Sequence, residues 1–296
     1  GVAYVVGQRT ANPPVPSYQR VTFRRGSVSS ARFTADGQSV VYSARYVGDE
    51  SARLYVQRLG TSDARPLELS GTVAGMSGGE MAILHGDTLS RVSIEGGTPR
   101  DLAEGIAFAD WGADGSKFAV VRLVNGIGQQ LECPIGNVLL RTAGLQEITD
   151  PRLSPTGDRI AYVWNPSALD YAGQVEVVDL QGRRQVLSRE WGRIRGLAWS
   201  PDGREVWFTA TRKGNAKALH AVTLKGRERL VLKAPGVLLL RDVRSDGRLL
   251  LDQVQSVWES RGRMAGDSTE RSLSWLDGTI WPILTEAGRQ LLFAEL

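Results

Sequence analysis

The sequence predicts an all-β fold, a β-propeller of six or seven four-stranded antiparallel blades. The first observation is a strand–turn–strand pattern that recurs along the chain. Its clearest copy runs from Trp199 to Gly203 and continues into 205–209, with β-prone residues on both sides of the turn. Pro201 presets φ, and Gly203 tolerates a positive φ. The glycines of the recurring turn are Gly37, Gly79, Gly115, Gly157, Gly203, Gly247 and Gly288.

The second observation is the spacing of these turns. Neighbouring turn glycines lie 36 to 46 residues apart, and the intervals carry strand and turn signals without a helical period. A repeat of about 40 residues is typical of one propeller blade. Further strand segments follow the turn pair, as 218–224 and 228–232 follow Gly203, so that each interval holds four strands. A β-sandwich with chance turn similarity is the alternative, and the regular spacing argues against it.

The blades are expected in chain order, between a short N-terminal segment and an incomplete last unit. Residues 1–17, with three prolines, are predicted to be a linker or a strand, and 18–296 to be the propeller. Strands near Val2–Val6 and Tyr18–Phe23 are candidates to complete a seventh blade begun at Trp281, since an unclosed ring leaves a free edge. The alternative is a fragment with missing blades. The polar segment between Val257 and Arg271 is predicted to be a surface loop. The expected units are 25–67, 68–102, 103–144, 145–188, 189–233, 234–281 and a partial one to Leu296.

Composition narrows the function classes. With 42% hydrophobic and 23% charged residues, the 296-residue chain is typical of a globular protein. The net charge of +4 is spread among mixed charges, which favours solvated loop charge over a nucleic-acid surface. The single cysteine, Cys133, excludes an internal disulfide and is predicted to be buried.

Catalytic and metal-binding patterns are weak. The segment Gly75 to Gly79 matches G-x-S-x-G, with Ser77 at the serine position and His85 nearby. A nucleophile elbow needs a strand-to-helix turn, whereas this serine precedes another strand. The two histidines, His85 and His220, lie far apart without companion cysteines. We therefore expect no catalytic residues, no metal site, no cofactor and no enzyme activity.

One column of aligned positions carries charge. Counting back from the turns, the same position holds Arg32, Ala74, Asp110, Arg152, Ala198, Asp242 and Ile283. It is expected on the innermost strands, where unpaired charges would be costly if dry. The charges are therefore predicted either to pair between blades, as Asp110 and Arg152 could, or to line a wet central channel that receives a peptide or small ligand. The candidate binding residues are Arg32, Asp110, Arg152 and Asp242.

The repeats resemble the Trp-Ser-Pro-Asp-Gly repeats of the TolB-type, WD-repeat-like β-propeller family. Trp199 to Gly203 is the best copy and Leu153 to Gly157 the next, and the resemblance spans about 17–296. More narrowly, the opening segment Tyr18 to Gly26 resembles the start of the propeller that follows a transmembrane helix in some bacterial membrane-anchored serine/threonine protein kinases. The chain contains no kinase element, so kinase activity does not carry over.

The resemblance implies a non-catalytic protein- or peptide-binding or sensor module within a larger bacterial signalling protein. It implies a periplasmic or extracytoplasmic location, no nucleic acid partner, and membrane attachment only through a flanking segment. The alternative is the gating propeller of a dipeptidyl-peptidase-type α/β-hydrolase whose catalytic domain lies outside this chain. A propeller lyase or glycosidase would need clustered histidines or carboxylates at one mouth, which the sequence does not display.

Overall fold

Five sheets of four antiparallel strands make up most of the structure, a computed structural model. It describes residues 17–124, 128–169, 171–214, 216–234, 236–254, 260–263, 268–273, 279–284 and 291–295, the last two as backbone only. Within these residues every regular element is a β-strand. The described part of the chain contains no helix that is long and apolar enough to cross a membrane.

The five blades follow one another along the chain, and each keeps its strands in chain order. The first blade contains β1 (Gly26–Phe33), β2 (Ser39–Tyr46), β3 (Arg53–Arg58) and β4 (Ala64–Pro66). The second contains β5 (Thr72–Ser77), β6 (Glu80–His85), β7 (Thr88–Ser93) and β8 (Arg100–Ala103). The third contains β9 (Ile106–Trp111), β10 (Phe118–Val124), β11 (Gly128–Glu132) and β12 (Val138–Arg141).

The last two complete blades match the best copies of the sequence repeat. The fourth contains β13 (Glu147–Leu153), β14 (Arg159–Asn165), β15 (Gln174–Asp179) and β16 (Arg184–Val186). The fifth contains β17 (Arg193–Trp199), β18 (Glu205–Thr211), β19 (Ala218–Thr223) and β20 (Glu228–Leu232). All five lie within a few residues of the predicted unit boundaries.

The expected count of six or seven blades is corrected to five. The remaining strands form three two-stranded sheets: β21 (Val237–Val243) with β22 (Leu249–Val254), β23 (Arg261–Gly262) with β24 (Arg271–Ser272), and β25 (Thr279–Leu284) with β26 (Leu291–Glu295). The turn pattern marks only the first two strands of a unit, so it counts hairpins and overestimates complete blades. The short β23–β24 pair also lies in the segment that we expected to be a loop.

The N-terminal expectation is corrected as well. The segment Tyr18–Phe23 is not a strand, and the first described strand begins at Gly26. This segment still contacts the first blade, because the Gln57 side-chain amide donates to the Val21 carbonyl at 2.8 Å. The candidate closing strand Val2–Val6, most of the expected linker and the turn at Gly288 lie outside the described residues.

The recurring turns owe their shape to the glycine. In the fifth blade the Gly203 N–H donates to the Ser200 carbonyl at 2.9 Å, and Gly203 has φ of 67°. Only glycine adopts this left-handed conformation without strain. The corresponding glycines are Gly37 (66°), Gly115 (73°), Gly157 (67°) and Gly247 (85°). In the second blade the positive φ falls on Gly78, at 56°, and not on the predicted Gly79.

The first strands of the successive sheets form a closed cycle. Strands β1, β5, β9, β13, β17 and β21 each contact the next, and β21 contacts β1. Each of these strands carries a bulge, and Gly196 lies at the bulge of β17 with φ of 66°. A side chain at Gly196 would place its Cβ 2.2 Å from the Leu240 carbonyl oxygen. The cycle therefore depends on close backbone contact between β17 and β21.

The core lies between neighbouring blades, as expected for sheets that cannot bury both faces alone. Trp199 of β17 is buried, and its indole N–H donates to the Arg152 carbonyl on β13 at 2.9 Å. Trp111 of β9 is buried too, and Gly75 of β5 leaves room for it: a Cβ at Gly75 would lie 2.6 Å from the Trp111 Cβ. This packing fixes the first strands, and thereby the charged column that they carry.

Candidate functional site

The four charged residues of the predicted column meet at the turn end of the first strands. Arg32, Asp110, Arg152 and Asp242 lie next to the last residue of β1, β9, β13 and β21. We call these four residues the axial cluster. Two column members between them, Ala74 on β5 and Ala198 on β17, are buried and small. Both alanines belong to apolar clusters of the core. The side chain of Ile283 lies outside the described residues.

Arg152 is the hub of the axial cluster. Its guanidinium contacts Asp110 on the preceding blade, with 3.4 Å between Nη1 and Oδ1. The other terminal nitrogen, Nη2, lies 2.8 Å from Asp242 Oδ1 on β21 and 3.3 Å from the Arg241 carbonyl oxygen. The Arg152 side chain is only 9% exposed. One buried guanidinium thus connects three first strands.

The two carboxylates also bind the backbone of the following blade. Asp110 Oδ2 accepts the Leu153 N–H at 2.8 Å, and Asp242 Oδ2 accepts the Phe33 N–H at 3.0 Å. Burial raises the pKa of Asp110, while the neighbouring Arg152 and Arg32 oppose that rise. Each carboxylate therefore makes two contacts between sheets: an ion pair with Arg152 and a hydrogen bond from the backbone of the following sheet.

Arg32 differs from Arg152, because it is not paired with a carboxylate. In the described part of the chain, its guanidinium donates to the Ala31 carbonyl at 3.0 Å and the Arg241 carbonyl at 2.8 Å. Its Nε is buried without a hydrogen-bond partner among the described residues. Burial, with a further contribution from Arg152, lowers the pKa of Arg32 to about 10. Arg32 therefore remains charged at neutral pH, and the residue as a whole is half-buried.

Arg241 is a part of this site that sequence reasoning missed. It lies at the bulge of β21, and its carbonyl oxygen accepts hydrogen bonds from both Arg32 and Arg152. Its side chain points elsewhere, to the Val28 and Ser29 carbonyls and to Asp252. Only the backbone of Arg241 enters the axial cluster. An alignment of the repeats by side-chain type cannot predict a contribution from the backbone.

The G-x-S-x-G segment does not form a serine–histidine pair. Ser77 Oγ donates to the Ala113 carbonyl on the next blade at 3.3 Å. His85 Nδ1 lies 3.0 Å from Ser70 Oγ instead. In that second pair His85 is exposed and Ser70 is half-buried.

The remaining candidate groups are placed as follows. His220 contacts Trp191 with the two rings tilted by 48° and their centroids 4.3 Å apart, and burial lowers the pKa of His220. Cys133 is buried, and burial raises the pKa of its thiol. Among the described residues, no group of three or more His, Cys, Asp or Glu side chains is placed to hold a metal ion.

Comparison with solved structures identifies the fold. TolB from Acinetobacter baumannii superposes with a TM-score of 0.55 at 22% identity, covering 71% of this chain and 55% of that chain. An oligogalacturonate lyase from Vibrio parahaemolyticus has a TM-score of 0.53 at 14% identity, covering 92% and 78%. A putative TolB from Agrobacterium tumefaciens has a TM-score of 0.49 at 14% identity, covering 90% and 80%.

The chain has a TolB-like β-propeller fold. At these identities the likeness shows the fold alone. This TolB-like propeller spans 55% of the length of the A. baumannii protein. No protein-family model matches the sequence, and no curated protein matches it. The narrower resemblance to kinase-associated propellers stays a prediction.

Proposed function

We propose that this TolB-like propeller is a non-catalytic module that binds a protein or peptide at the axial cluster. The ligand would present a carboxylate to the half-buried Arg32 guanidinium from the turn end of the first strands. The same chemistry suits a sensor or docking domain of a larger signalling protein, which is the role that the kinase-type resemblance implies. Fold alone does not establish such a role.

The observation that carries this proposal is the charge balance of the axial cluster. Arg152 contacts both carboxylates, Asp110 and Asp242, and among the described residues Arg32 has hydrogen bonds to carbonyl oxygens only. A partly buried cation without an ionic partner is the group that gains most from an anionic ligand, because a charge-assisted hydrogen bond is stronger where water is excluded. Arg152 acts as a positioning residue, because it takes both carboxylates as direct ion-pair partners, while Arg32 interacts with them at longer range.

The experiment is a peptide selection on the wild-type chain followed by calorimetry. Peptides selected from a displayed library are expected to carry an acidic side chain or a free C-terminal carboxylate. Their Kd should rise about tenfold with Arg32→Gln, equivalent to ~1.4 kcal/mol. The matched control is Arg58→Gln, because Arg58 is exposed at the end of β3. Equal binding to wild type and Arg32→Gln would refute the axial site.

Arg152→Glu provides a stronger perturbation of the same site. It places a third carboxylate beside Asp110 and Asp242, and a peptide carboxylate should then be repelled. Unchanged binding of a selected peptide to this variant would show that the peptide does not bind at the axial cluster. Circular dichroism and thermal melting establish that the variant is folded before binding is measured.

The gating propeller of a peptidase remains the alternative function. The encoding gene distinguishes the two. A downstream domain with Ser, Asp and His in that order favours the peptidase, whereas an upstream kinase domain followed by a membrane helix favours the sensor module. A lyase or glycosidase activity would be exposed by assays that compare the wild type with Asp110→Asn and Asp242→Asn.

A further inference from the structure

A second charged surface lies at the opposite end of the strands. Each first strand runs toward its turn, so the loops between the second and third strands lie at the other end of the blade. On the fourth and fifth blades the described residues of these connections are 166–169, 171–173, 212–214, 216 and 217. We call Leu169, Tyr171, Arg195, Arg212, Lys213 and Lys217 the loop-end patch. It does not include any residue of the axial cluster.

The loop-end patch carries four cations without a carboxylate partner. Within the described residues, Arg195, Arg212, Lys213 and Lys217 form no ion pair, although other arginines of the same two blades do, such as Arg184 with Glu176 and Arg229 with Glu205. Arg195, Arg212 and Lys213 are exposed, and Lys217 is half-buried. The positive charge of this patch is available to a partner.

These cations lie close to one another. The pairing of β17 with β18 places Arg193 opposite Thr211, directly before Arg212 and Lys213. Burial, together with the positive charges of Arg193 and Arg195, lowers the pKa of Lys217. Among the described carboxylates, Glu147 of β13 interacts with Arg195: burial raises the pKa of Glu147, Arg195 opposes the rise, and Asp150 adds to it.

The fourth-blade part of the patch carries two exposed apolar side chains. Leu169 is 82% exposed and Tyr171 is 59% exposed. The Arg193 guanidinium carbon lies 5.1 Å from the centre of the Tyr171 ring, which connects this apolar part to β17. The Ala168 N–H donates to the Leu145 carbonyl at 2.6 Å and thereby fixes the loop next to the start of β13. Large apolar side chains at such exposure are typical of interaction surfaces when they adjoin one another.

We propose that the loop-end patch is a second docking surface, and that its partner is an acidic segment of another protein that also presents apolar side chains. Acidic side chains would pair with Arg195, Lys213 and Lys217, and the apolar ones would cover Leu169 and Tyr171. Opposite charge on the two partners gives both specificity and faster association.

A polypeptide fits this surface better than a membrane or a nucleic acid. Lys217 is half-buried, so a side chain can reach it, whereas a flat bilayer contacts protruding groups. Leu169 and Tyr171 would also contribute little to nucleic-acid binding, because its affinity comes mainly from cations that neutralise phosphates.

The test measures fluorescence anisotropy with a labelled short peptide that mixes glutamates with leucines and phenylalanines. The charge-reversal variant is Arg195→Glu with Lys217→Glu. Its matched control is Lys225→Glu with Arg227→Glu, which makes the same charge change at exposed residues of the β19–β20 turn, at the opposite end of the blade. We expect Kd to rise at least tenfold in the first variant and to stay within about twofold of wild type in the second.

The apolar contribution is tested with Leu169→Ser and Tyr171→Ser. These changes should weaken binding of the mixed peptide about threefold to tenfold, and should leave an all-acidic peptide that lacks apolar residues unaffected. A peptide with glutamines in place of the glutamates should bind no variant measurably.

Several results would overturn the proposal. One is an equal loss of peptide affinity in the two charge-reversal variants, and another is no measurable binding of the mixed peptide to wild type. A third is binding of phosphatidylserine vesicles or single-stranded DNA that depends on the patch and is tighter than binding of the mixed peptide. Arg32→Gln separates this proposal from the axial one. It leaves the loop-end patch intact, so the axial site can fail its own test while this surface passes.

Discussion

The two ends of this propeller use charge in different ways. At the turn end, Arg152 is surrounded by two carboxylates and a carbonyl. At the loop end, Arg195 and Lys217 lie near each other without an ionic partner among the described residues. At the turn end most charge therefore connects blades through ion pairs, with Arg32 as the exception, whereas the loop-end cations make no such connection among the described residues.

Contacts between the turns extend this difference. Arg244 Nη1 donates to the Gly37 carbonyl at 2.6 Å, and Lys117 Nζ donates to the Gly157 carbonyl at 3.3 Å. In each pair a cation near one turn binds the turn glycine of the neighbouring sheet. A ring of small sheets needs such links because no sheet buries both its faces by itself.

The largest effect is expected from Arg152→Gln. This change leaves Asp110 and Asp242 partly or fully buried without their common cation, which costs about 3–5 kcal/mol of unfolding free energy. Urea denaturation followed by tryptophan fluorescence measures it. The control is Arg204→Gln, whose guanidinium is 3.8 Å from Asp202 and 85% exposed. The control should lose less than about 0.5 kcal/mol. Similar losses would mean that the axial cluster contributes no more than a surface pair.

The next largest effect is expected from Gly196→Ala. Gly196 has φ of 66°, and its new Cβ would overlap the Leu240 carbonyl oxygen. Strand β17 would then have to move away from β21. We expect a loss of about 2–3 kcal/mol in the same denaturation experiment.

Gly247→Ala is the matched control for this prediction. Its φ is 85°, and no atom lies within 4 Å of the added Cβ. The control isolates the conformational cost, about 1 kcal/mol. A loss in Gly196→Ala no larger than in Gly247→Ala would show that the two strands are not in close contact.

A smaller effect concerns pH and the turn carboxylates. A hydrogen bond from Thr34 lowers the pKa of Asp36, and one from Ser200 lowers the pKa of Asp202. A carboxyl group whose pKa is lower in the folded state than in the unfolded state stabilises the folded state. This stabilisation is fully present above the unfolded-state pKa of about 3.9 and is lost as the pH falls through the folded-state pKa. Tm should therefore decrease as the pH is lowered below about 4. The double variant Asp36→Asn, Asp202→Asn should show a shallower fall, and an unchanged slope would contradict the prediction.

The smallest effect is expected at the loop end. Arg195→Ala removes one of the positive charges that lower the pKa of Lys217, so that pKa should rise while the unfolding free energy changes by less than about 0.5 kcal/mol. The pH dependence of lysine acylation, followed by mass spectrometry of the Lys217 and Lys213 peptides, measures the change. Arg227→Ala is the distant control. If it shifts the pH dependence of Lys217 acylation as much as Arg195→Ala does, the effect of Arg195 on the Lys217 pKa is contradicted.

Much of the fold could be predicted from local sequence. The turn around Gly203 is determined by residues next to one another, and the boundaries of five blades follow from its repetition. The meeting of Asp110 with Arg152 could also be anticipated, because both occupy the same position of neighbouring repeats. The blade count could not, since pairing of the outer strands depends on contacts that the turn motif does not encode.

The sites were less predictable than the fold. The backbone of Arg241 enters the axial cluster because β21 has a bulge there, and bulge positions leave no clear signal in one sequence. The loop-end patch was missed because its feature is the absence of partners for Arg195 and Lys217. That property depends on how the fourth and fifth blades are placed side by side, whereas the sequence displays only evenly mixed charge.

The most direct test of this account compares the unfolding free energies of Arg152→Gln and of the double variant Arg195→Glu, Lys217→Glu in urea. If turn-end charge holds the blades and loop-end charge does not, the first variant loses about 3–5 kcal/mol and the second stays within about 0.5 kcal/mol of wild type. A double variant destabilised as much as Arg152→Gln would contradict the account, because the loop-end cations would then be part of what holds the ring together.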